Sequence, residues 1–225
     1  MVVGARLVGT SHATRNTPHV TRYTSQVFSM ANTIFNTPNS PLVHSWSFGW
    51  EEDLQCTIKY NQSATACNFN SAVYIARTEV ELMKLAAIGM TVIVASGDQG
   101  ISSANNQNCP PTAGPYLASY PQTSAWVLSV GATMMSGLTP PYTPEVVCSL
   151  ATGAIITSGG GFSAYVPQPW WQVLVSDAYG RSQVSQGVVP ATAFNSSYRG
   201  FPDVAALGHN FVVCDSSSFY RSSYT

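Results

Sequence analysis

At 225 residues, 45% of them hydrophobic, the chain can bury one substantial core, and its length favours one domain or at most two. Nine Lys and Arg against ten Asp and Glu leave a net charge of −1, which excludes a basic face for nucleic acid and a polybasic membrane anchor. Charged residues make up only 8% of the chain, against roughly 25% in typical soluble domains. Ser, Thr, Asn, Gln and Tyr carry the polar surface instead, a balance that suits a secreted or lumenal protein.

Residues 1–20 are polar, with a short strand predicted at Val2–Val8. This start has no charged lead, apolar stretch and small-residue cleavage site, so no signal peptide is read in it. From Tyr23 onward Val27, Met30, Ala31, Ile34 and Phe35 recur at three and four positions, which predicts an amphipathic helix ending before Pro38. PLVHSWSFG, Pro41–Gly49, reads as a strand entering a glycine turn, and a polar loop runs on through Asn70. NSAVYIARTEVELMKLAAIG then predicts a helix with Val73, Ala76, Val80, Met83 and Ala87 on one face, Arg77 and Glu81 spaced i,i+4 on the other, and Gly89 ending it. The β-branched run Thr91–Ser96 is apolar on both faces, as a buried parallel strand is, so strand, helix and strand form one βαβ crossover.

After a loop over Ser102–Pro121, AWVLSVGAT supplies another strand, and Pro140, Pro141 and Pro144 interrupt the stretch beyond it. SGGGFS, Ser158–Ser163, marks a tight turn, and PQPWWQVLVSDAY predicts a short helix from Pro167 or Pro169. RGFPDVAAL reads as a turn and NFVVCDSS as a closing strand. No apolar run reaches the ~18 residues of a membrane span. The five cysteines include no CxxC pair and no zinc spacing with His, which argues against a structural metal site; Cys56 and Cys67 could form a local disulfide, and an odd total leaves one without a partner in this chain. Two N-x-[ST] triplets, at Asn61 and Asn195, suit a secretory protein.

Function in open α/β sheets gathers beyond the carboxyl ends of the parallel strands, and both Gly49 and Asp98 fall at such ends. A lone aspartate between two glycines is, on residue type alone, a turn residue capping its own loop. Here it sits among SFG with Glu51, ASGDQG, SYPQTSAWVLSVGAT, SGGGFS with PQPWWQ, and Arg199-Gly-Phe-Pro-Asp203-Val-Ala-Ala. These blocks, in this order over about residues 41–215, resemble the sedolisin family of serine-carboxyl peptidases, which have a subtilisin-like fold, act in acid and include tripeptidyl peptidases.

The resemblance implies a three-layer, subtilisin-like α/β domain with a mainly parallel sheet, truncated at both ends. It gives Asp98 the role of side-chain donor in the oxyanion hole for peptide-bond hydrolysis, and Ser47, Phe48 and Gly49 that of the edge against which an extended substrate pairs. An ionised carboxylate only accepts hydrogen bonds, so Asp98 must be protonated to do this, which requires acid, a burial-raised pKa, or both. SGGGFS and the Arg199–Asp203 turn are structural in this reading, with Asp203 bracing its own turn. Glu51, Glu52 and Asp53 are expected as a solvated cluster, Glu51 with some chance of touching substrate; Glu79 and Glu81 as a solvated helix face; His44 as a core histidine; Trp170 and Trp171 as core or rim packing.

The family's serine nucleophile, its Glu/Asp pair and its calcium ligands have no counterpart at the matching places, so the expectation is a chain that lacks them and is inactive alone, with no cofactor of its own. Gly9-Thr10-Ser11 resembles the nucleophile stretch but lies at the wrong end of the chain. The expected partner is a protein or peptide substrate, not nucleic acid or membrane, and the protein a monomer that is secreted or lysosomal. A rival reading is a non-catalytic pseudo-peptidase module that binds extended peptides at Gly49. A nucleotide-binding domain is excluded by motif, since neither G-x-G-x-x-G nor G-x-x-x-x-G-K-[ST] comes after the Thr91–Ser96 strand.

Overall fold

The computed structural model describes residues 26–56, 70–101, 116, 118–136, 144–187, 194–209, 212–215 and 218–221. Val2–Val8, Ser11, Asn61, Cys67 and Cys109 lie outside these described residues.

Helix α1, Gln26–Asn36, forms where the three-and-four spacing places it and buries Val27, Ala31 and Ile34. Strand β1, Val43–Trp46, leads into β2, Trp50–Glu51. Helix α2, Ser71–Ala87, begins where the Asn70 side chain accepts from the N–H groups of Ala72 and Val73. It ends where Gly89 takes φ +82°, a left-handed turn that lets Met90 N–H bond back to Leu85 and frees the chain to enter β3, Thr91–Ala95. β1 and β3 pair in parallel, Val43 opposite Thr91 through Trp46 opposite Val94, so the predicted crossover is the one observed.

The sheet extends through β5, Leu128–Met135, which runs parallel to β3 from Ile93 opposite Leu128. On its other side β5 pairs in parallel with β9, Val204–Leu207, and at its far end antiparallel with β6, Glu145–Val147. Four parallel strands and one antiparallel one make a mainly parallel α/β sheet. Two small ribbons flank it: β2 with β4, Ser119–Tyr120, and β7, Gly161–Pro167, with β8, Tyr198–Phe201. Helix α3, Val173–Ser185, comes after a 3-10 turn at Trp170–Gln172 whose N-cap is Pro169. A further hairpin pairs β10, Val212–Asp215, with β11, Ser218–Arg221. Among the described residues no helix is long and apolar enough to cross a membrane.

The main core lies between α1, α2 and one sheet face, joining Ala31, Tyr74, Leu82, Leu85, Trp46, Val92 and Val94. The residues that alternate with these along the strands, Ser45, Ile93 and Ala95, line a cavity of about 210 Å³ on the opposite face.

Three expectations are corrected. The core face of α2 is Tyr74, Ile75, Thr78, Leu82 and Leu85, whereas Val73, Val80 and Met83 stand 41%, 46% and 41% exposed. Both stripes repeat at helical spacing, and the larger volumes on the Tyr74 stripe fill the space over the sheet. VAAL and Glu145–Val147, read as turn and broken chain, are strands because β5 offers them ladder partners. Residues 161–167, read as leaving a tight turn, pair with β8.

Gly159 shows how tightly this frame is set. A Cβ there would overlap the carbonyl oxygen of Ser96, a backbone atom that cannot swing aside. Gly159→Ala is expected to lower stability by roughly 1–3 kcal/mol in a urea melt; an unchanged midpoint would contradict the packing.

Candidate active site

Asp98 sits at the carboxyl end of β3 between Gly97, at φ +110°, and Gly100, at φ +70°, both conformations that side-chain-bearing residues rarely adopt. The loop is sewn to the segment before β7: Thr157 N–H donates to Asp98 O at 2.9 Å, Gly100 N–H to Thr157 O at 2.9 Å, and Gly159 N–H to Gly97 O at 2.7 Å. With its backbone fixed this way, Asp98 lines the cavity on the open sheet face together with Ser45, Ser47, Ser96 and Gly208. Among the described residues its carboxyl has no hydrogen-bond or ion-pair partner, and partial burial raises its pKa above the usual carboxylate value.

Of the predicted edge, Ser47 lines the same cavity as Asp98. Phe48 turns toward the core and stacks on Trp46 at 5.9 Å. Gly49 lies against the buried side chain of Gln122, which would overlap any Cβ at position 49. The three residues lie outside the strand ladders among the described residues, between β1 and β2.

The solvated acidic cluster is a correction. Glu51 and Glu52 are 4% and 2% exposed, and only Asp53 faces solvent, where it accepts from the Tyr165 hydroxyl. Glu52 collects three donors: Thr123 Oγ1 at 2.7 Å, Ser163 Oγ at 2.5 Å and Ala164 N–H at 2.7 Å. Burial outweighs them and raises its pKa. The network can hold the proton, because Thr123 has a second acceptor in Ser119 O at 3.2 Å and can turn to accept from the acid. Glu52 thereby ties the chain beyond Gly49 to the strand that leaves SGGG.

The expected solvated face at Glu79 and Glu81 is corrected as well. Glu79 accepts from the Tyr120 hydroxyl at 3.0 Å and from Ala125 N–H at 3.2 Å, and burial raises its pKa. Glu81 is buried and pairs with Lys84 at 2.8 Å, one turn along α2. Arg199, 1% exposed, donates Nη2 to Asp203 Oδ2 at 2.7 Å and Nε to Ser124 O at 3.3 Å. Asp203 Oδ2 also accepts from Ser129 N–H at 2.8 Å, so it braces β5 as well as its own turn. No spacing marks these buried acids in the sequence; the one signal is their scarcity, ten in the whole chain.

His44 is a buried histidine 3.4 Å from Ser40 Oγ, as expected of a core residue. Trp170 and Trp171 are rim residues, 83% and 48% exposed, facing Val80 and Met83 of α2 across a groove. Cys56 is disulfide-bonded. Among the described residues no three His, Cys, Asp or Glu side chains converge as a metal site.

A mainly parallel α/β sheet with a cavity at the carboxyl ends of its strands is the architecture of a subtilisin-like domain. Physarolisin from Physarum polycephalum is 42% identical to the chain over 207 residues, covering 84% of this chain and 35% of that protein. Tripeptidyl-peptidase 1 from Rattus norvegicus is 35% identical over 184 residues, 80% of this chain and 27% of that protein. A solved structure of Pseudomonas sedolisin, a serine-carboxyl proteinase complexed with two molecules of pseudo-iodotyrostatin, matches with TM-score 0.53 and 25% identity over 82% of this chain and 42% of its own. No family model matches. The chain belongs to the sedolisin family of serine-carboxyl peptidases and carries part of the peptidase domain. It spans about a third of the length of the curated relatives it matches.

Because burial raises the pKa of Glu52 and of Glu79, the folded chain binds more protons than the unfolded one above the usual value of 4.5. Their contribution is therefore fully present below about pH 4.5 and is lost as pH rises through the raised values. The urea midpoint is expected to rise from neutral pH to about 4.5, and Glu52→Gln, which has no proton to gain, to flatten that rise. A midpoint that falls on acidification over this range would contradict the assignment.

Proposed function

We propose that the whole protein hydrolyses peptide bonds in acid as a serine-type peptidase, with Asp98 the side-chain donor of its oxyanion hole. The observation that supports this most is the Asp98 carboxyl, without a hydrogen-bond partner among the described residues and with its pKa raised by burial, lining a cavity with Ser47 at the carboxyl end of the sheet. A neutral carboxyl presents one O–H that can donate to the oxygen of a tetrahedral intermediate, and in a half-dry site that bond strengthens as charge develops. The backbone that carries the carboxyl is held by hydrogen bonds on both sides of its loop.

In this reading Ser47–Gly49 lend their backbone to an extended substrate, which gives affinity with little side-chain selectivity. Phe48, stacked on Trp46, and Gly49, seated on Gln122, hold that edge in place. The serine nucleophile and its carboxylate pair belong to the part of the protein that this chain does not include, and residues 1–225 alone bind peptide without turnover. The substrate class is unfolded protein or peptide, cleaved internally or as amino-terminal tripeptides, in a secreted or lysosomal setting. The protein works as a monomer.

In the full-length protein, Asp98→Ala is expected to lower kcat on an unfolded protein about 10²- to 10³-fold. Asp98→Asn keeps an N–H donor that needs no acid, so its activity should persist to higher pH than the parent's, as a kcat against pH profile will show. Equal activity of Asp98→Ala and parent would overturn the oxyanion role. Peptide binding without any cleavage by the full-length protein would favour the non-catalytic module instead.

A further inference from the structure

Position 49 is a glycine for a reason that its own backbone does not supply. Gly97 and Gly100 nearby take left-handed φ values and Gly49 does not, so its conformation leaves a side chain free to stand there. The obstacle is Gln122: a Cβ on Gly49 would stand 2.1 Å from Gln122 Nε2 and 2.2 Å from its Oε1. The end of an exposed glutamine would swing aside. Gln122 is 3% exposed, and its neighbours Thr123 and Ser124 are fully buried.

The contact is closed into a ring. From Gly49 the chain runs into β2, where Trp50 pairs with Tyr120 and Glu51 with Ser119. Glu52 then ties back, its N–H donating to Ala118 O at 3.0 Å and its Oε1 accepting from Thr123 Oγ1 at 2.7 Å, next to Gln122. Gly49 and Gln122 are thus joined by a ladder and by a carboxyl, and neither can retreat from the other alone. Gln122 Oε1 has no hydrogen-bond partner among the described residues, so packing and not a bond of its own holds the amide against Gly49. Gly49 itself is half-buried, and Ser47, two residues before it, lines the cavity that holds Asp98.

We propose that Gln122 is a positioning residue for substrate: the volume of its buried side chain is the stop that sets where the Ser47–Gly49 edge stands, and so where the backbone of an extended peptide pairs. This rests on the reading of that edge as the substrate-binding one. It adds that glycine at position 49 is required from inside the protein, by Gln122, and not by the passage of substrate.

The test is steady-state kinetics of the full-length protein on a peptide substrate, with urea midpoints of the same variants. Gln122→Ala should raise KM about tenfold, the worth of roughly one backbone hydrogen bond, with kcat changed less than about twofold. Gly49→Ala should raise KM as well. In the double variant the KM increase should be smaller than the product of the two, because the shortened side chain leaves room for the new Cβ. Gln122→Met, which keeps the length without the amide, should bring KM back to near the parent value. Gln122→Asn, one methylene shorter, carries the same test if the alanine variant does not fold. Increases that simply multiply, a Gln122→Ala KM equal to the parent's, or a Gln122→Met KM as high as that of Gln122→Ala would overturn the stop. If Gly49→Ala lowers the urea midpoint, Gln122→Ala restores it and KM never moves, the packing stands but the edge does not bind substrate, and the positioning role is lost with that reading.

Discussion

The end of β3 is held by an approach of two backbones so close that one of them must lack a side chain. Gly159 lies against the Ser96 carbonyl, and its N–H donates to Gly97 O at 2.7 Å. From the same segment Ser158 Oγ accepts from Ala132 N–H of β5 at 2.8 Å, and a Cβ on Gly131 would press on both Ser158 and Pro202. One glycine-rich stretch thus fixes the exits of two neighbouring parallel strands. The position of Asp98 is settled by the same contacts, because its loop has nowhere else to go.

A second constraint converges on the same place from the core side. The turn over Tyr120–Ala125 is gripped by the buried Glu52 through Thr123 and the half-buried Glu79 through Tyr120 and Ala125, while Arg199 reaches Ser124 O. Gln122, inside that turn, seats Gly49. The walls of the cavity are therefore positioned by carboxyl groups for which burial favours the protonated form. Frame and proposed oxyanion donor share one chemistry: acid neutralises Glu52, Glu79 and Asp98 alike, so conditions that would arm the site also relieve the charge inside its supports.

Much of the fold was legible in the residues. Helical spacing located α1 and α2, Gly89 marked where α2 stops, and the β-branched run after it forms the second strand of a parallel crossover. The failures were choices that local pattern leaves degenerate. Helix α2 carries two apolar stripes, and only the shape of the space above Trp46, Val92 and Val94 selects Tyr74, Leu82 and Leu85 over Val73, Val80 and Met83. VAAL has too few residues to signal a strand until β5 supplies a ladder.

For the site, the sequence by itself determined which residues stand at the strand ends and which family they belong to: an aspartate between glycines, the strand after Pro41 running into Gly49, and the order of blocks that marks the sedolisin family. Those are local properties, because a glycine turn and an apolar run mean the same thing wherever they occur. Only the tertiary structure decided which acids are solvent-facing and which are buried: it reversed the reading of Glu51, Glu52 and Glu81 and half-buried Glu79. Burial of a charge depends on partners far along the chain, as Glu52 depends on Thr123, Ser163 and Ala164, and no short stretch of sequence contains both halves of such a bond.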